Sequence, residues 1–169
     1  MTNWLDQEEM RAWRGFLMVY AEVHAALDAE LLAEHGLSEG DYGVLARLSE
    51  APDHRVRMCD LAAFMNLSPS GITRRLDGLV RDGLVSREAG EEDRRVTFAR
   101  ITPAGLRRLE VAAPDHVDGV RRHLLDHLSR TQVRQLGAAF DGVRRRRAAA
   151  GVGCPEEDAV AWARSEAGH

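Results

Sequence analysis

Ser68, Ser70, Thr73, Arg74 and Arg75 lie within one short stretch of chain, and Arg94 and Arg95 follow a little further on. Short hydroxyl side chains let a backbone approach base edges and phosphates closely, and a guanidinium can make a forked contact with a guanine or a phosphate. This is the chemistry of a nucleic-acid contact, not of bond-breaking. No nucleophile elbow, phosphate loop or HExxH metal site is present, so an enzyme is not expected.

These residues need an element to hold them. Ser68-Pro69 is a cap followed by Pro at a first helical position, where its missing amide costs nothing, and the spacing predicts a helix over 69–81 ended by Asp82-Gly83. At 100° per residue, Ile72, Leu76, Leu79 and Gly83 fall on one side and Ser70, Thr73, Arg74, Asp77 and Arg81 on the other. One face is made to be buried and the other is small, hydroxylated and basic. Arg75 lies at the flank, placed for backbone phosphate.

A shorter helix, over about 60–65 with Cys59 at its cap, precedes the turn Asn66-Leu67, and a small strand is expected near 55–58. After the 69–81 helix come two alternating segments, 84–88 and 95–101, which read as a β-hairpin. Two helices joined by a tight turn and followed by a hairpin form a winged helix-turn-helix, with 69–81 as the recognition helix and 84–101 as the wing. Arg94 and Arg95 sit at the wing tip, where Arg can enter a minor groove. Asp93 is expected to orient one of them, and Asp77 to hold a wing Arg in the same way.

On either side the chain is helical. Met10, Trp13, Leu17, Tyr20, His24, Leu27 and Leu31 recur every three or four residues, an apolar seam along a helix over about 6–34 that Gly36 ends. A second helix starts at Ser38 and stops at Ala51-Pro52. Beyond the wing, Thr102-Pro103 opens a helix expected to reach about Leu128 with a kink at Pro114. Ser129 and Gln132 have capping-box spacing for a last helix to about Ala150. The fold expected is therefore mainly α with a small β-hairpin wing. An N-terminal dimerisation helix (1–36), a winged lobe (37–102), C-terminal dimerisation helices (103–150) and a flexible tail (151–169) make up its domains.

The 169 residues carry a net charge of −4, and all 23 basic residues are Arg. Nine Arg against seven Asp and Glu fall between Arg55 and Arg100, so the basic excess sits in the middle of an otherwise acidic chain. No apolar run approaches a membrane span and the N-terminus lacks a signal peptide's pattern, which predicts a cytoplasmic protein without membrane contact. Cys59 and Cys154 have neither metal-finger nor disulfide-framework spacing.

The blocks Arg57-Met58-Cys59-Asp60-Leu61-Ala62, Leu67-Ser68-Pro69-Ser70-Gly71-Ile72-Thr73-Arg74-Arg75-Leu76-Asp77-Gly78-Leu79, Asp82-Gly83-Leu84-Val85-Ser86-Arg87, Asp93-Arg94-Arg95 and Ile101-Thr102-Pro103-Ala104-Gly105 stand in order. On them the chain resembles the MarR family of bacterial transcriptional regulators, over about residues 10–145 and most specifically over 57–105. The resemblance implies a homodimer of intertwined terminal helices whose two winged lobes read a pseudo-palindromic double-stranded promoter site. It also implies a repressor released by a small phenolic or carboxylic effector, with no cofactor. The apolar seam agrees, because it exceeds what one small lobe can cover.

For the effector, Trp13, Tyr20 and His24 with Tyr42 offer aromatic walls and a polar head, though the same residues also serve as dimer core. His116, His123 and His127 share a helical face, and the latter pair has the spacing to clasp a metal, but no third ligand is defined and no metal is expected. Cys59 at a helix start has the position of a reactive thiol. A metal- or thiol-sensing regulator of the same fold, and a winged-helix module that binds protein without specific DNA binding, are the alternatives.

Overall fold

The computed structural model describes residues 2–90 and 93–151. Helix α1 (Gln7–His35) starts in a capping box. The Asp6 carboxylate accepts the Glu8 and Glu9 amides at 2.8 Å, and Glu9 accepts the Asp6 amide at 2.9 Å. Gly36 ends the helix in the left-handed conformation at φ 61°, which a side chain would resist. Ser38 then caps α2 (Glu39–Glu50), taking the Asp41 amide at 3.1 Å. Pro52 turns the chain through a single 3₁₀ turn into β1 (Arg55–Arg57).

Helices α3 (Met58–Phe64) and α4 (Pro69–Arg81) follow, joined by a turn in which Asn66 takes φ 51°. Helix α3 begins earlier than the sequence predicts. Arg57 occupies its cap and Cys59 lies exposed in the first turn, because β1 hands the chain straight into the helix without an intervening loop. Strands β2 (Val85–Ala89) and β3 (Thr97–Ile101) form the expected hairpin, and β1 adds to its far side in the order β1-β3-β2, all antiparallel, with Val56 opposite Ala99 and Arg87 opposite the same residue on β2.

Thr102 and Pro103 open α5 (Pro103–His123), pressed so closely on the end of the wing that a Cβ at Gly105 would collide with the Leu84 carbonyl. Pro114 is carried inside this helix. The helix ends at His123, short of the Leu128 that the apolar pattern suggests. Leu124 leaves helical geometry, a 3₁₀ turn spans Leu125–His127, and Leu128 is extended, which reverses the chain so that Leu124 and Leu128 face α1. Ser129 and Gln132 form the capping box of α6 (Arg130–Ala149). The tail from 152, with Cys154, lies outside the described residues.

The core is in the winged part. Leu45, Leu48, Leu61, Ile72, Leu76 and Val44 are sealed, joined by Val85, Ala99 and Ile101 from the sheet and by Leu31 and Ala112 from α1 and α5. At roughly 1.5–3 kcal/mol for each large side chain taken out of water, this cluster is what fixes the angle between α4 and the sheet. Of the seam on α1, only Leu27 and Leu31 are buried, while Trp13, Leu17 and Tyr20 stay exposed.

Candidate nucleic-acid interface

Helix α4 is divided as its periodicity requires. Ile72, Leu76 and Leu79 are buried, while Ser70, Thr73, Arg74, Asp77 and Arg81 are exposed. Gly83 does not share the buried side, since it lies beyond the helix with φ 71°. The Ser68 hydroxyl accepts the Gly71 amide at 3.1 Å and lies 3.1 Å from the Ser70 hydroxyl, so the cap itself aims Ser70 outward. Thr73 donates its hydroxyl to the Pro69 carbonyl at 2.8 Å, which fixes its rotamer and leaves an oxygen free to accept. Arg74 stands exposed, and among the described residues it makes no ion pair.

Arg75 is turned away from this face. Its guanidinium reaches Ser38 and Asp41 at 3.2 Å each and packs on Gly40 with no room for a Cβ there. The flank position expected for a phosphate contact is instead where α4 is bolted to the first turn of α2. Sequence spacing misses this because Asp41 and Arg75 are 34 residues apart.

The wing is joined to the recognition helix by a second bolt. Arg87 on β2 donates to the Asp77 carboxylate at 2.8 Å and to the Thr73 carbonyl at 2.9 Å, so Asp77 does hold a wing Arg. This neutralises the one acid on the outward face of α4. At the tip, Arg94 and Arg95 are both exposed. The Arg95 amide donates to Asp93 at 2.9 Å and its exposed guanidinium lies 3.9 Å from the same carboxylate, so Asp93 does pair with a wing Arg. The spacing of the sequence does not single out Arg55 and Arg57. The sheet places both against the Phe98 ring, at 5.0 and 5.9 Å, adding cations beside the wing.

A groove of about 1170 Å³ runs between α1 and the α5–α6 reversal. Trp13, Tyr20 and His24 line it with Phe16, and these rings stack in sequence at 5.5–6.2 Å while Phe16 meets Phe140 of α6 edge-on at 6.1 Å. Tyr42 is not among them. It packs under the lobe with its ring 4.2 Å from that of His116, and burial, reinforced by Glu50, raises its phenol above the usual range. The three histidines also part company. His116 meets Tyr42 and His123 bonds Glu30 at 2.8 Å, both on α5, but His127 lies in the 3₁₀ turn beyond it, so the face of three expected of one continuous helix does not form. None of the described helices is long and apolar enough to cross a membrane.

A three-stranded wing on a helix-turn-helix, with the recognition helix bolted to α2 and to the wing through its middle turns and its outer face open, defines a winged helix-turn-helix protein. The sequence profile of the MarR family matches residues 37–97. The chain is 38% identical over 112 residues to the HTH-type transcriptional repressor YetL of Bacillus subtilis, a match covering 64% of this chain and 67% of YetL. It is 35% identical over 83 residues to the HTH-type transcriptional regulator MhqR of the same bacterium, covering 49% and 56%. Among solved structures it resembles Sco3205, a MarR family transcriptional regulator from Streptomyces coelicolor in complex with DNA, with a TM-score of 0.82 and 31% identity over 92% of this chain and 97% of that one. It also resembles AbsC, a MarR family regulator of that organism, with a TM-score of 0.78 and 36% identity over 86% and 97%. The chain belongs to the MarR family, a family of transcriptional regulators, not of enzymes.

Proposed function

We propose that this chain is a homodimeric repressor that binds a pseudo-palindromic site in double-stranded promoter DNA and is released by a small phenolic or carboxylic effector. The observation that carries the DNA reading is the open face of α4. Ser70, Thr73 and Arg74 are exposed over a fully buried apolar side, with Arg94 and Arg95 extended on the wing beside them. Ser68 acts through its cap and Arg75 through its hold on α2, so both position the helix. The relative solved in complex with DNA, at 31% identity, and the repressor YetL support the same reading.

The dimer reading rests on the rings of Trp13, Phe16 and Tyr20 on α1 and Phe140 on α6, all 45–59% exposed on adjoining helices. The groove they line exceeds the roughly 300–1,000 Å³ of a small-molecule pocket, so a partner helix fills part of it. The effector takes the inner end, where His24 lies 3.2 Å from Glu39 beside Leu27 and His123. The test is a gel-shift titration on the upstream DNA across a salt series against a non-specific duplex. With about four phosphates neutralised per lobe, log affinity falls with log salt at a slope near −7. Binding no tighter than to the competitor, on the upstream DNA and on sites selected genome-wide, removes the reading.

A further inference from the structure

Behind the lobe, the end of α1 and the middle of α5 enclose a cavity of about 140 Å³. Four carboxylates line it, Glu30, Glu34, Asp115 and Asp118, with the imidazoles of His35 and His116 and a single guanidinium, that of Arg122. Arg122 is committed to Glu30 at 3.2 Å, and Glu30 also bonds His123, so this end of the cavity is already neutralised. Glu34, Asp115 and Asp118 are left with no cation among the described residues other than what a protonated histidine would supply. Like charges gathered in this way favour a bound cation.

Three donors converge. A carboxylate oxygen of Glu34, a ring nitrogen of His35 and a carboxylate oxygen of Asp115 all lie within 4.8 Å of one another. Ligands about 2.0–2.2 Å from a tetrahedral ion stand about 3.4 Å apart, so closing the set needs only side-chain rotation. His35 Nε2 already lies 2.8 Å from Asp115, and the His35 side chain is 9% exposed, held in place. His116, also on the cavity wall, has its Nδ1 buried without a hydrogen-bond partner. A buried ring nitrogen left unpaired is uncommon and calls for a partner.

We propose that Glu34, His35 and Asp115 form a binding site for a first-row divalent cation of the zinc class, with His116 on the same cavity wall but outside the set of converging donors. Imidazole with carboxylates selects such an ion over magnesium or calcium, which take oxygen ligands. The site departs from the metal-free expectation of the sequence. Spacing conceals it, because His35 and Asp115 are 80 residues apart. It would tie α1 to α5 immediately before Gly36 and the Ser38 cap, where α2 starts and holds Arg75 of the recognition helix.

Metal binding is measured on the full chain without DNA and so stands or falls apart from the DNA reading. The chain is stripped with a chelator, dialysed, and titrated with zinc chloride by calorimetry, then with cobalt chloride by absorbance, with magnesium chloride as the negative arm. One zinc ion per chain is expected, together with the intense visible bands of a tetrahedral cobalt site. Glu34→Gln and Asp115→Asn, both at exposed carboxylates, each weaken binding at least about tenfold and shift the cobalt bands. His127→Gln and Cys154→Ser leave both readouts unchanged. No zinc binding by the unaltered chain overturns the site, as does binding that survives Glu34→Gln and Asp115→Asn or that disappears with Cys154→Ser.

Discussion

In the winged lobe, Leu45, Leu48, Leu61 and Leu76 are each 0% exposed, whereas along the first half of α1 Trp13, Phe16, Leu17, Met18, Val19 and Tyr20 are 43–62% exposed. Both stretches are comparably apolar in sequence. Of the twenty residues of α6, only Gly142 is buried. The lobe thus satisfies its apolar surface within one chain, while the flanking helices present theirs outward in adjoining rows. In the proposed dimer, one region is a folding unit and the other is half of one. A cut through the molecule near Leu27 separates residues whose partners are in this chain from residues whose partners, in the proposed dimer, are in a second copy.

The sharpest way to break the contrast is in the core. Leu76→Ala opens a cavity beneath the recognition helix and is expected to cost about 2–5 kcal/mol in urea unfolding. Phe140→Ala, of similar or larger volume but 45% exposed, is expected to cost far less in a dilute sample where the dimer is dissociated. Equal losses for the two would mean that the flanking helices share the lobe's core. Next in size is the association itself. Phe16→Glu with Phe140→Glu places two like charges in the edge-on ring contact at 6.1 Å and should convert the dimer to monomer in sedimentation, with the helical circular dichroism of the lobe retained. A dimer that persists would move the interface away from this groove.

The contrast also explains what was legible in the sequence. Caps at Ser68, Thr102 and Ser129, the first-turn prolines and the two-faced pattern of α4 are local signals whose partners lie within a few residues, and the structure follows them closely. What the sequence concealed depends on distant pairs. Arg75 has the same residue type and almost the same place as Arg74, yet a contact with Asp41 turns it inward, and no spacing rule separates the two. Tyr42 parted from Trp13, Tyr20 and His24 for a similar reason, as His116 on α5 claims its ring. The helix expected to run through Leu128 ends at His123, where Leu124 leaves helical geometry and the following 3₁₀ turn sets Leu124 and Leu128 along the groove beside α1, a reversal that no Gly or Pro in the sequence marks.

On the interface, Arg74→Ala should lower operator affinity by roughly 1–3 kcal/mol, about ten- to a hundredfold, with unchanged unfolding and unchanged dimer. Arg75→Ala should do the reverse in kind, lowering stability by loosening α4 from α2. If Arg75→Ala instead changes only affinity and the salt slope, the bolt to Asp41 opens on DNA. The wing is a smaller effect. Arg94→Ala with Arg95→Ala should flatten the salt dependence by about one unit of slope for each phosphate contact removed, without altering which sequence is preferred.

The smallest effect expected lies where lobe and flanking helices meet. His116 is half-buried against Tyr42, and burial, opposed by Glu39, holds its imidazole below the ordinary histidine value of 6.5. The folded chain therefore binds this proton less readily than the unfolded chain. Its contribution to stability is complete above pH 6.5 and is lost as the pH falls through the lower, folded value. His116→Gln removes that loss, so the stability difference between the two metal-free chains should narrow from pH 7.5 to pH 5.5. The window lies above the carboxylate range, where Glu30, lowered chiefly by its bond from His123, comes into play only below pH 4.5. Urea unfolding of both chains at each pH, with a chelator present, reads the difference directly. A gap that stays constant with pH would place His116 in water, and with it would go the close packing of α5 on α2 that joins the self-sufficient half of the molecule to the half that is not.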